Sequence, residues 1–169
     1  QLADTIVGAP VEALAAELTS FVPGRIIDDN VQVLLRYAGG ARGMLWASQV
    51  APGHANELRI RVFGSAGGIE WAQQQPNELR WTPLGEPTRI ITRGSTAMNA
   101  AGARVSRIPA GHPEGYIDAF AALYSEIASH LLARRSGGDP GAAHFPTIAD
   151  GLRGVLFIET VQASSCCGG

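Results

Sequence analysis

Few side chains in this sequence are able to do chemistry. There are four histidines, His54, His112, His130 and His144, and two cysteines, Cys166 and Cys167, side by side near the C-terminus. All 13 basic residues are arginine. Without a lysine the chain offers no Schiff base, no lysine proton donor and no phosphate-loop lysine. A Gly-x-Ser-x-Gly nucleophile elbow is also absent. No two histidines stand at helical metal-ligand spacing, and two adjacent cysteines with no histidine nearby fall short of a zinc site. Neighbouring cysteines are also too close along the chain for an ordinary disulfide. We read them as an inert, frayed end.

What remains is hydrogen-bonding chemistry. His112 immediately precedes Pro113, a residue suited to a first helical turn, so its side chain is expected near the unpaired N–H groups at a helix start. A neutral imidazole there exchanges one hydrogen bond with a polyol hydroxyl, or it simply caps the helix; both readings stand. His54 and Asn56 fall in a loop between two strand-like segments, where binding groups are often carried. Glu114, Asp118 and Glu126 form no paired-carboxylate site and read as a solvated helix face. His130 reads as a surface or capping histidine near a helix end, and His144 has no assigned role.

The elements that must position these groups follow from periodicity. Leu2 to Val7 reads as the tail of a helix stopped by Gly8. An extended segment follows from Val11 to Val22. Val31, Val33, Leu35 and Tyr37 then alternate with Gln32, Leu34 and Arg36, a period of two. Gly39 to Gly43 turns the chain into a strand over 44–50. Leu58, Ile60 and Val62 line one face of a further strand, with Arg59 and Arg61 on the other. Gly64-Ser65-Ala66-Gly67-Gly68 leads directly into Ile69-Glu70-Trp71. A dinucleotide loop must open a helix, so this glycine run reads as a hairpin. Segments 77–81 and 88–92 complete six or seven strands, and their short connections demand antiparallel pairing.

Residues 93–110 lack periodicity and read as a long surface loop. Tyr116, Phe120, Leu123, Tyr124, Ile127 and Leu131 recur at spacings of three and four and predict a helix from Pro113 to Arg134-Arg135, with Tyr116 in the core. Thr147-x-x-Asp150 predicts a capping box opening a last helix towards Ser164. Strands first and helices last predict an α+β fold: one open, mostly antiparallel sheet with helices packed on one face, forming a single domain over residues 1–169.

Composition agrees. The net charge is −2 and charged residues make up 17% of the chain, a balance that does not point to a nucleic-acid or anionic-membrane surface. Apolar residues at 46% supply a core, while 21 glycines and 10 prolines supply many turns. No apolar run approaches the roughly 20 residues that span a bilayer, and no signal peptide opens the chain. We therefore expect a cytoplasmic protein. The opening at Gln1 inside a helix tail leads us to expect a piece of something longer.

Gly111-His112-Pro113-Glu114-Gly115-Tyr116-Ile117-Asp118-Ala119-Phe120 resembles the G-H-P-x-G-Y-x-x-A-F run of the glucose–fructose oxidoreductase / inositol dehydrogenase / MocA (Gfo/Idh/MocA) family. The segment from Asn56 to Trp71 resembles the family's N-x-L-x-I-x-V-x-G-x-x-G-x-x-x-W sheet core, and Pro146 to Arg153 resembles its final helix. The likeness spans essentially the whole chain. It implies the C-terminal half of a two-domain protein whose N-terminal Rossmann domain holds NAD or NADP. In the family a Glu-Lys-Pro lysine and an Asp-x-x-x-His pair manage the substrate proton, and neither lies within this sequence.

On that resemblance the chain carries no catalytic, cofactor-binding or metal-binding residue of its own and is inactive alone. Its role is to bind and orient a sugar or polyol and to assemble a homodimer or tetramer through the open sheet. His112 is the first candidate for a substrate hydroxyl contact, followed by Asn56, then His54 and Gln49. The alternative is a stand-alone dimerisation or carbohydrate-binding module without catalysis.

Overall fold

The protein is described here by a computed structural model covering residues 1–168. Seven strands and four α-helices follow in the order α1 (Leu2–Val7), β1 (Val11–Thr19), β2 (Asn30–Tyr37), β3 (Arg42–Ser48), β4 (Arg59–Gly64), β5 (Gly67–Ala72), β6 (Glu78–Pro83), β7 (Arg89–Thr92), α2 (Ala100–Val105), α3 (Tyr116–Arg135) and α4 (Ile148–Cys166). Every strand pair is antiparallel, and the fold is α+β as the periodicities predict. The ladders form two sheets, β1-β2-β3 and β4-β5-β6-β7. The chain divides into two compact units, Gln1–Ala55 with the segment from Pro146 onward, and Asn56–Phe145.

The first unit holds the core. In β2, Val33, Leu35 and Tyr37 are buried on one face while Leu34 and Arg36 are exposed on the other. This is what an alternating strand does when one face is packed. Val33, only 2% exposed, lies opposite Ala16 of β1 and Leu45 of β3. Val161 of α4 closes the cluster, with Phe157 packed against it. Burial in this cluster raises the Tyr37 hydroxyl pKa above its ordinary value. At the end of α1, Gly8 adopts the left-handed conformation (φ 68°) and its N–H donates to the Asp4 carbonyl, which is why the helix stops at glycine.

Between β1 and β2 the chain wraps around one carboxylate. Asp29 is buried and accepts hydrogen bonds from the Phe21 N–H at 2.9 Å and the Val22 N–H at 3.0 Å, with Arg25 at 3.4 Å. The Phe21 N–H contributes most to holding its pKa below the ordinary carboxylate value, and Val22 and Arg25 add to it against the opposing effect of burial. Beside it the Asn30 side-chain carbonyl accepts from the Trp46 indole N–H at 2.8 Å.

The second unit is a four-stranded meander followed by α2 and α3. The glycine run between β4 and β5 is a hairpin turn. Gly67 has φ 148°, and a Cβ placed there would lie 2.3 Å from the Thr82 carbonyl oxygen of β6. Only glycine lets the two backbones approach so closely. The turn leads into a strand, so it does not fit a pyrophosphate.

Three expectations about the helices need correction. Residues 93–110 are not all loop: Asn99 caps α2 by accepting from the Gly102 N–H at 2.9 Å. A six-residue helix is too short for its periodicity to show in sequence. The long helix begins at Tyr116 rather than Pro113, because its first free N–H, that of Gly115, is taken by the Asp118 carboxylate at 3.1 Å. Tyr116 is 67% exposed rather than in the core, tilted against Phe120 with ring centroids 4.9 Å apart. Helical spacing aligned the stripe on one face without stating what covers that face.

The last helix opens at Thr147 as expected, where the Asp150 carboxylate accepts from both the Thr147 N–H at 2.7 Å and its hydroxyl at 2.6 Å. The Thr147 hydroxyl, then its N–H, lower the Asp150 pKa. α4 continues through Cys166, so the expected frayed end is helical up to that residue. Both thiols are exposed and free.

Candidate functional site

His112 lies three residues before the Gly115 N-cap of α3, so it does not cap that helix. It occupies a tight turn instead. The His112 N–H donates to the Pro109 carbonyl at 3.3 Å, and Gly111 between them takes φ 86°. The histidine itself is exposed.

A half-buried polar network holds this turn. Arg93 follows the last residue of β7, and its guanidinium donates to the Asn77 side-chain carbonyl at 2.8 Å, to the Ile108 carbonyl at 2.7 Å, and to the carbonyls of Pro109 and His112. Glu114 approaches within 3.3 Å of Arg93, and its carboxylate accepts from the Arg107 and Ile108 N–H groups. Asn77 completes the set by donating to the Glu114 carbonyl at 2.8 Å and accepting from the Glu114 N–H at 3.1 Å.

The solvated-face reading of three acidic residues is therefore corrected. The Glu114 side chain is 9% exposed and ion-paired, Asp118 caps α3, and Glu126 pairs with Arg104. Arg93 and Asn77 escaped the sequence reading because their partners lie 16 and 37 residues away, beyond any local pattern.

The other candidates are held differently. Asn56 takes a left-handed conformation (φ 52°), its carbonyl accepts from the Leu58 N–H at 2.8 Å, and its amide donates to Gln73 at 3.2 Å. Asparagine tolerates that conformation better than most residues. The Gln49 backbone N–H is anchored at 2.7 Å on the carbonyl of Asp29, leaving the residue exposed. His54 closes a turn through its N–H to the Ala51 carbonyl at 3.2 Å. Gln49 and His54 belong to the first unit, Asn56 and His112 to the second, so neither unit alone gathers all four.

His130 packs edge-on against Phe145, ring centroids 5.3 Å apart. Both line a shallow depression of about 360 Å³ in the second unit, with Arg104, Arg107, Glu126 and His144. His112 and Asn56 are not part of it. Among the described residues no group of three metal-ligating side chains comes together, and no helix is long and apolar enough to cross a membrane.

The sequence profile of the GFO/IDH/MocA C-terminal domain matches residues 1–70. An uncharacterized oxidoreductase of Bacillus subtilis (strain 168), YfiI, is 32% identical over 158 residues, covering 92% of this chain and 40% of its own. A crystal structure of an oxidoreductase from Sinorhizobium meliloti superposes with a TM-score of 0.92 at 49% identity, covering 97% of this chain and 46% of that one. An inositol dehydrogenase homologue from Azotobacter vinelandii, complexed with NADH and myo-inositol, gives 0.94 at 32% identity, covering 99% and 45%. The chain spans less than half the length of each of these relatives. The order of strands and helices, the Gly111-to-Phe120 segment and these matches agree: this chain belongs to the GFO/IDH/MocA family, as its C-terminal domain.

Proposed function

We propose that this chain is the polyol-facing half of a nicotinamide-dependent oxidoreductase. It binds and orients a sugar or cyclitol, while a nucleotide-binding domain outside residues 1–169 carries NAD or NADP and the groups that move the hydroxyl proton. The observation that carries this reading is the likeness, over nearly the whole chain, to a protein complexed with NADH and myo-inositol. Its lack of lysine supports a division of labour in which proton transfer is done elsewhere. What the chain supplies is positioning, which can contribute a large part of rate acceleration.

His112 is the first substrate contact in this reading. Its exposed imidazole sits on a turn that the fold holds firmly, and an imidazole either donates to or accepts from a polyol hydroxyl. Asn56, His54 and Gln49 are secondary contacts. The test is kinetic, in the protein joined to its nucleotide-binding domain: His112→Ala raises KM or lowers kcat for the polyol with cofactor KM unchanged. No kinetic effect removes His112 from the site.

Association through the sheet is part of the same proposal. Leu34, Met44 and Trp46 share one face of β2-β3, and all three are exposed, Met44 to 79%. An apolar face of this kind is covered in an assembled protein. A homodimer or tetramer buries it. The same face is what favours the second reading, a dimerisation module without catalysis.

A further inference from the structure

We propose that Asn77, Arg93 and Glu114 form a latch that fixes the turn from Ile108 to Glu114 and so presents the His112 imidazole to substrate; the three are positioning residues, and the proposal rests on the reading of His112 given above. The geometry grips the turn from both sides. Arg93 reaches the carbonyls of Ile108, Pro109 and His112, which bracket it. Glu114, at its far end, takes the N–H groups of Arg107 and Ile108 at its start. Asn77 ties Glu114 and Arg93 to the start of β6, with the Arg93 N–H donating to the Asn77 carbonyl at 2.8 Å. The Arg93 and Glu114 side chains are 13% and 9% exposed.

A turn that only had to cross the surface would need none of this. Taking an arginine and a carboxylate out of water costs much of what their attraction returns, so the pair is a poor way to gain stability. It is a good way to hold one conformation, because a planar guanidinium accepts partners only in fixed directions. A substrate-binding side chain gains from such support: ordering done during folding is not repeated on binding. The exposed His112 lies inside the segment held at both ends.

The test uses the protein joined to its nucleotide-binding domain, with NAD as cofactor. The probe is the polyol giving the highest kcat/KM in a panel of cyclitols and aldohexoses that includes myo-inositol. Arg93→Lys keeps the charge but loses the fork. It is expected to raise the probe KM about tenfold with kcat changed less than about twofold and the NAD KM unchanged. His112→Ala is expected to do the same, and the double variant to do no more than His112→Ala alone, since the lysine acts through a side chain no longer present. Should Arg93→Lys fail to fold by circular dichroism, Asn77→Asp, which loses the bond to the Glu114 carbonyl, carries the same comparison. An unchanged KM in the latch variant beside a raised KM in His112→Ala overturns the latch and leaves the His112 reading standing. Effects that multiply in the double variant also overturn the latch. A silent His112→Ala overturns the reading of His112, and the latch with it.

Discussion

The backbone N–H of Ala16 donates to the Ser164 hydroxyl at 3.0 Å, joining an edge strand to the last helix across 148 residues of sequence. Two residues on, the Leu18 N–H donates to the Ser165 hydroxyl, also at 3.0 Å. β1 has β2 on one side only, so these N–H groups lie on its outer edge. An unpaired strand edge invites pairing with another chain, and α4 blunts this one with two hydroxyls. The same helix adds Val161 to the core cluster that contains Val33. Strand edge and core are closed by one element.

Replacing both serines by alanine leaves two half-buried N–H groups without partners. Each loss is expected to cost about 1 kcal/mol, and the pair about 2, because an unsatisfied donor keeps its desolvation penalty. Chemical denaturation of Ser164→Ala, Ser165→Ala and the double variant measures it. A double variant as stable as the parent shows that water replaces the hydroxyls without loss.

Gly67→Ala is expected to be far worse than an ordinary glycine substitution. Its Cβ would lie 2.3 Å from the Thr82 oxygen and 2.9 Å from the Pro83 Cα, both backbone, at a φ of 148°. Either the β5-β6 ladder shifts or the turn distorts, at a cost of about 2–3 kcal/mol. Gly85, with open space around it, is the control at another positive φ. Comparable melting temperatures for the two variants would contradict the close approach.

Asp29 sets an acid limit. Its folded pKa lies below the ordinary carboxylate value, so the stability it contributes is present above the unfolded value and lost as pH falls from about 4 through the lower folded one. Asp150 shifts in the same direction and adds to the slope. Denaturation midpoints measured from pH 6 down to pH 2.5 are expected to fall in that window, with a shallower fall in Asp29→Asn. An unchanged slope in that variant assigns the acid sensitivity elsewhere.

The chain by itself is expected to bind neither NAD nor NADP. Titration with each, followed by the fluorescence of its three tryptophans, is expected to show no saturable change. Tight binding of either cofactor would mean that the chain holds nucleotide itself, against the proposed division between two domains.

Replacing Met44 and Trp46 by polar residues is expected to shift an assembled protein towards monomer. Both are exposed and stand opposite Leu34 and Gln32 on the same sheet face. Light scattering across a concentration series reads the change. A parent chain that stays monomeric at high concentration counts against association through this face.

Much of the fold was legible in the residues alone. The alternation through Val33, Leu35 and Tyr37 gave β2 its buried face, and the glycines at 64, 67 and 68 marked a hairpin. Thr147 with Asp150 marked the start of α4. The candidate site was less legible. His112 was visible as a residue beside Pro113, but the sequence placed it at a helix start that the structure moves to Gly115. Glu114 looked like one of several acidic side chains on a wet face.

Strand, turn and cap signals were readable because each is made by residues within a few positions of one another, where backbone sterics and local hydrogen bonds act. Which polar groups meet was decided only by the tertiary structure. Asn77 and Glu114 lie 37 residues apart, and Ala16 and Ser164 lie 148 apart. A charged or polar residue has the same appearance in sequence whether water or a buried partner satisfies it. The choice is made by the desolvation of a folded interior, which exists only after the elements have packed.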